Sequence, residues 1–161
     1  MSNSTLKVFI GFDEKEAVVF HTCVQSIIEH CKVPVSIHPL NLQMFKNYKE
    51  THSDGSNNFI YSRFLVPYLN NFDGKALFLD GDMIINDDLS KLFDQFDDKY
   101  AVQVVKHDYK TKMKKKYFGN KNENYPRKNW SSVILWNCEH EDNKCLVLPS
   151  IMFISVKNTQ N

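Results

Sequence analysis

Lys75-Ala76-Leu77-Phe78-Leu79-Asp80-Gly81-Asp82-Met83-Ile84-Ile85 runs from a lysine through a short apolar stretch into two carboxylates separated by one glycine. Ala76 to Leu79 has the length and uniformity that a central parallel strand needs, and Asn70-Asn71-Phe72-Asp73-Gly74 ahead of it is a turn signal. Asp80 is therefore expected to emerge at the strand's carboxyl end. In open α/β sheets that end is where ligands bind. Two acids there, one residue apart, can both face a cation, and Gly81 lets the backbone approach a ligand closely. Hard cations such as magnesium take one or two carboxylates and fill their other positions with water and phosphate oxygens. The bland reading of the same triplet is a strand-end turn with solvated acids.

Upstream, Lys7-Val8-Phe9-Ile10 predicts a first strand, Gly11-Phe12 a turn, and Asp13 a helix N-cap with Glu16 in capping-box position. Ala17, Phe20, Val24, Ile27, Ile28 and Cys31 recur at helical spacing and predict one core-facing stripe. Val33, Val35 and Ile37 alternate with Pro34, Ser36 and His38, a second strand running into Pro39-Leu40. This is one βαβ unit, whose right-handed crossover implies a parallel pair. Asn41 to Asn58 is polar, with a short helix around Leu42 to Tyr48 and a long loop over residues 51–57. Phe59 to Leu69 returns to helical spacing, carries Arg63, and has Pro67 to kink or restart it.

Downstream, Asn86-Asp87-Asp88 caps a short helix containing Leu89, Leu92 and Phe93, and Tyr100 to Val105 predicts another strand. His107 follows it, and then the basic run Lys110 to Lys116, which reads as a solvated loop face that could also guide an anionic acceptor. Ser131 to Trp136 is a further strand candidate, Glu139 to Lys144 a polar turn or helix start, and Leu146 to Val156 strand material without a clear partner.

The composition suits one globular α/β domain: 161 residues, 42% hydrophobic and 24% charged, with a formal net charge of +1. A balance so close to zero supplies no field toward nucleic acid or anionic membrane, and aromatic residues are too sparse among the lysines to stack on bases. No apolar run reaches the length of a membrane span, and Met1-Ser2-Asn3-Ser4-Thr5-Leu6-Lys7 lacks a signal pattern, so the expected location is the cytoplasm. Cys23, Cys31, Cys138 and Cys145 form no Cys-x-x-Cys pair and are expected as reduced, buried thiols.

Competing chemistries lack their residues. A haloacid-dehalogenase-type phosphatase would carry Thr where Ile84 stands. An EF-hand loop would need further oxygen ligands where Met83, Ile84 and Ile85 follow, and no P-loop or Gly-x-Gly-x-x-Gly is present.

Taken in order, Ser62-Arg63-Phe64-Leu65-Val66-Pro67, the strand ending in Asp80-Gly81-Asp82, and Asp88-Leu89 with Leu92-Phe93 resemble the central block of family-8-like glycosyltransferases of the GT-A fold. Val8-Phe9-Ile10-Gly11-Phe12-Asp13 is similar to their first strand and nucleotide-contacting turn, and the resemblance covers roughly residues 6–140. It implies a mostly parallel central sheet flanked by helices, and a nucleotide-diphosphate sugar as donor. It also implies Mn2+ or Mg2+ at Asp80 and Asp82, with donor contacts from Gly11, Phe12, Asp13, Arg63, Lys75, Asp80 and Gly81. Capping competes with nucleotide contact for Asp13, and a plain strand-flanking role is favoured for Lys75.

Trp130-Ser131-Ser132 stands where the family carries Asn-Ala-Gly, so the sugar and acceptor surface differs here, with His107, Trp130 and Ser131 as candidates on the acceptor side. The acceptor, a glycan, lipid or protein, is not encoded in any motif. The family's late metal-binding His has no counterpart, His107 and His140 being the nearby imidazoles, and the chain after about residue 145 does not match. The expected activity is metal-dependent sugar transfer, and the alternative is a truncated or degenerate nucleotide-sugar-binding domain without transfer.

Overall fold

Three adjacent strands carry the core because both of their faces are apolar: β1 (Leu6–Gly11), β3 (Lys75–Leu79) and β5 (Val133–Asn137). With β2 (Val35–Leu40) and β4 (Val102–Val104) they form a five-stranded sheet in the order β2-β1-β3-β5-β4. The structure is a computed structural model and describes residues 5–45, 48, 60–107 and 130–147. The basic run at residues 110–116, the loop at 51–57 and most of the strand expected over 146–156 lie outside the described residues.

Side chains alternate across a strand, so each central strand serves two cores. Val8, Ile10, Leu77, Leu79 and Leu135 point to one face and pack with Phe20, Cys23 and Ile27 of α1 (Ala17–His30). Phe9, Ala76, Phe78, Ile134 and Trp136 point to the other and meet Phe64, Leu65 and Val66. Those last residues come from a 3₁₀ turn, Ser62–Leu65, that passes into α2 (Val66–Leu69) with Pro67 in its first turn. The helix expected from Phe59 onward is thus a tight turn followed by a restart at the proline, where a missing N–H costs nothing.

β1 pairs in parallel with both β2 and β3, as the βαβ pattern requires. β5 runs antiparallel to β3 and to β4, so the sheet is mixed. Leu79 lies opposite Val133 and Lys75 opposite Asn137, which means that β5 begins where β3 ends. That reversal brings residues 130–132 to the carboxyl edge of β3.

Helix α1 departs from its expected stripe at one position: Ile28 is 63% exposed, and Ser26 is buried instead. The buried face follows Phe20, Cys23 and Ile27, with Ser26 at its margin. Ser26 is tolerated there because its hydroxyl is fully used. It donates to the Cys23 carbonyl at 2.7 Å and accepts the Ile85 N–H at 2.9 Å. One hydroxyl thereby pins the loop after β3 to α1. The turn Glu14–Glu16 before α1 is 3₁₀, and Asp13 caps it by accepting from the Lys15 N–H at 3.0 Å. Asp88 makes a comparable tie, accepting from the N–H groups of Ser90, at the start of α3 (Ser90–Asp94), and of Lys32.

Cys23 and Cys138 are buried and Cys31 is partly buried, as expected, but Cys145 is exposed in the 3₁₀ turn Glu141–Cys145. Burial pushes the Cys23 and Cys138 thiols up to about 11. Since the thiolate is the reactive species, iodoacetamide at pH 8 should label Cys145 in the folded protein and reach Cys23 and Cys138 only after denaturation. Peptide mass mapping reads the outcome, and rapid native labelling of Cys23 would contradict the packing of α1.

Candidate functional site

Asp80 is the first residue beyond β3, and its backbone N–H donates to the Ser132 carbonyl at 2.9 Å. Its carboxylate Oδ1 lies 3.1 Å from Nη2 of Arg63, whose side chain is 5% exposed against 18% for Asp80. The guanidinium also donates from Nη1 to Ser131, to the carbonyl at 2.5 Å and to Oγ at 2.9 Å. Its carbon sits 4.9 Å above the centroid of the Phe78 ring. Arg63 is held in this position because all four residues of its 3₁₀ turn are buried against the sheet. Burial pushes the Asp80 carboxyl up, Arg63 and the Ser132 hydroxyl pull it back, and neighbouring Asp82 adds a further upward push.

Gly81 passes so close to the end of β1 that a Cβ on it would collide with the Gly11 carbonyl oxygen. The Gly11-Phe12-Asp13 turn therefore lies against the Asp80-Gly81-Asp82 turn with backbone touching backbone. Phe12 packs edge-on against Phe20 at 5.2 Å between centroids, which anchors the first turn to α1. Glu16 belongs to the same edge. Its carboxyl is pushed up by partial burial and then by the charges of Asp13, Asp82 and Asp80. The sequence presents Glu16 only as a capping residue, and nothing in its local spacing signals that the fold turns it toward two acids more than sixty residues away.

Asp80, Asp82, Met83, Val105, His107, Ser132 and Val133 line one open cleft of about 540 Å³. The structure thus brings His107 to the two carboxylates. Ser131 is bonded to Arg63, and it is Ser132 that lines the cleft. Trp130 packs toward Phe64, with ring centroids 6.4 Å apart. Of the Trp130–Ser132 turn, Trp130 and Ser131 are thus engaged by Phe64 and Arg63, and Ser132 faces the cleft.

Lys75 does not join the cluster. It opens β3, and a strand of this length separates it from Asp80 by roughly 17 Å. There its Nζ pairs with Asp98 at 2.5 Å and lies 5.1 Å from the Phe96 ring centroid. A wider cleft of about 670 Å³, lined by Lys7, Asp73, Lys75 and Asp98 among others, occupies that opposite edge of the sheet.

Among the described residues no group of three or more His, Cys, Asp and Glu side chains is arranged to hold a metal. Two carboxylates with open positions beside them nevertheless match the way magnesium-like cations are held, by one or two protein oxygens together with water and substrate phosphate. The oxygen donors fit a hard cation.

Residues 6–139 match the family described as glycosyl transferase family 8. Protein CDI of Arabidopsis thaliana is 38% identical over 144 residues, which covers 87% of this chain and 56% of that protein, so the chain spans little more than half the length of this curated relative. Among solved structures, the apo form of the bifunctional glycosyltransferase WbbM superposes with a TM-score of 0.60 at 20% identity, over 89% of this chain and 33% of that one. The glycosyltransferase GlyE of Streptococcus pneumoniae gives 0.53 at 20% identity, over 92% of this chain and 37% of that one. At such identities the structural likeness establishes the fold, an α/β sheet of GT-A type.

Because the Gly81 site is closed by backbone, Gly81→Ala cannot be absorbed by a side-chain shift. It should lower unfolding free energy by about 1–3 kcal/mol, the usual cost of overpacking, as read from urea denaturation. A neutral result would mean that the two turns do not touch.

Proposed function

This chain belongs to glycosyl transferase family 8, and from that premise we propose that it takes part in moving a sugar from a nucleotide-diphosphate donor to a glycan, lipid or protein acceptor, with Mn2+ or Mg2+ held by Asp80 and Asp82. The observation that carries the reading is the convergence of those two carboxylates with Ser132 and His107 on one cleft at the carboxyl edge of the sheet. When bound, such a cation supplies Lewis-acid neutralisation of the charge that develops on the departing nucleoside diphosphate.

The chain's own residues divide the remaining work. Asp82 is exposed, and Asp80 is largely enclosed and ion-paired, so the two acids offer oxygens of different mobility. The Gly11 carbonyl, lying against Gly81, sets the Gly11-Phe12-Asp13 turn beside the two acids, where it would meet the nucleotide. Met83 and Val105 give the cleft an apolar side, and His107, which lines the same cleft, is the residue that would face the acceptor.

Calorimetric titration of uridine and guanosine diphosphates, with and without Mn2+, tests this directly. One of the two should bind roughly tenfold tighter with the metal, an increment of about 1.4 kcal/mol. Asp80→Ala and the exposed Asp82→Ala should each abolish that increment. If neither nucleotide binds, or binding ignores both metal and substitutions, the proposal is wrong. Metal-dependent binding without turnover of any nucleotide sugar would assign the chain to the alternative, a binding domain without transfer.

A further inference from the structure

The sequence places Arg63 among the donor contacts, but the structure turns it inward. The residue is 4% exposed, and it is absent from the lining of the cleft that holds Asp80, Asp82 and Ser132. Nη1 is engaged by the Ser131 carbonyl and hydroxyl, Nη2 faces Asp80 Oδ1 at 3.1 Å, and the plane lies over Phe78. A guanidinium so placed cannot reach a ligand in the cleft without abandoning two acceptors on Ser131 and a largely enclosed carboxylate.

We infer that Arg63 is a positioning residue that acts through Asp80, holding Oδ1 so that the carboxylate presents only its other oxygen, Oδ2, to a cation. Asp80 Oδ1 is sealed from solvent and faces Arg63, so the oxygen left for a cation is Oδ2, on a carboxyl that the Ser132 hydroxyl also bonds. The Asp80 N–H, bonded to the Ser132 carbonyl, fixes the backbone from which the carboxylate projects. Ser131 and Ser132 thus bind the two ends of one clamp: Ser131 orients the guanidinium, and Ser132 orients the acid. A carboxylate pinned in this way is a preorganised single-oxygen ligand. A freely rotating one would have to be ordered at each binding event, and groups that orient a metal ligand typically carry about 10–100-fold in metal affinity.

The inference rests on the metal reading proposed for this site, and a double-substitution cycle separates the two. Mn2+ binding is read from the electron paramagnetic resonance of the free ion. Uridine and guanosine diphosphate binding is read calorimetrically in chelator, and unfolding is read in urea. Arg63→Gln should weaken Mn2+ at least tenfold, leave metal-free nucleotide binding within twofold, and have no further effect on Mn2+ in an Asp80→Asn background. Arg63→Lys, which keeps the charge but cannot span Ser131 and Asp80 together, should recover part of the loss, and it carries the cycle if Arg63→Gln does not fold.

Equal loss of nucleotide affinity with and without metal, in both backgrounds, would make Arg63 a direct phosphate contact and overturn the inference. If the unsubstituted chain binds no Mn2+, the metal reading fails and the positioning role fails with it. The unfolding cycle then still reports whether Arg63 and Asp80 are coupled, and so tells a wrong site from a wrong clamp.

Discussion

A guanidinium and a carboxylate buried together impose the most demanding constraint on this fold. Removing both from water costs several kcal/mol per ion before any attraction is counted, and the pair survives only where geometry and further hydrogen bonds offset that cost. Arg63 and Asp80 meet the condition with partners from three separate parts of the chain. Residues 62–65 supply the cation, the end of β3 supplies the anion and the ring of Phe78, and residues 131–132 supply the carbonyl and hydroxyl oxygens. Displacing any one of these segments would separate an ion pair that is largely shielded from water.

Strand direction is what lets those segments meet. β3 points toward the ligand edge, and a strand parallel to it would deliver its own carboxyl end there, leaving its beginning about five residues of strand length away. β5 is reversed, with Val133 opposite Leu79, so the turn that precedes it arrives beside Asp80. β4, antiparallel to β5, again ends at that edge and carries Val105 and His107 into the cleft. The mixed topology therefore builds the wall beside the carboxylates, while the parallel β1–β3 pair brings Gly11 against Gly81.

This explains which features were legible in the sequence. The first three strands and the place of Asp80 could be read because local patterns encode them: an alternating or uniform apolar run, a turn before it and acids after it. The resemblance to family 8 rested on the same local blocks and matches the family assignment. An apolar run does not state its direction, so the reversal of β5 was invisible, and with it the inward turn of Ser131. Lys75 precedes the same apolar run, yet a strand has two ends, and it stands at the one away from Asp80, paired with Asp98. Ile28 fits a helical stripe as well as Ser26 does not, but the hydroxyl of Ser26 satisfies a backbone donor across the core, a long-range demand that periodicity cannot register.

The two acids of the motif are consequently not equivalent, although the sequence writes them alike. Asp80 is enclosed, paired and held from both its backbone and its side chain, whereas Asp82 projects into solvent one residue later. Gly81 is the reason the asymmetry is possible. Any side chain there would push the turn off Gly11 and lift Asp80 away from its clamp. The partly buried Glu16 and the capping Asp13 add negative charge to the same edge, where burial, and then the charges of Asp13, Asp82 and Asp80, push the Glu16 carboxyl up. A fold that encloses one carboxylate, leaves its neighbour exposed and gathers further acids around them has concentrated negative charge where a strand ends. That gathering of acids is what supports the hard cation proposed for Asp80 and Asp82.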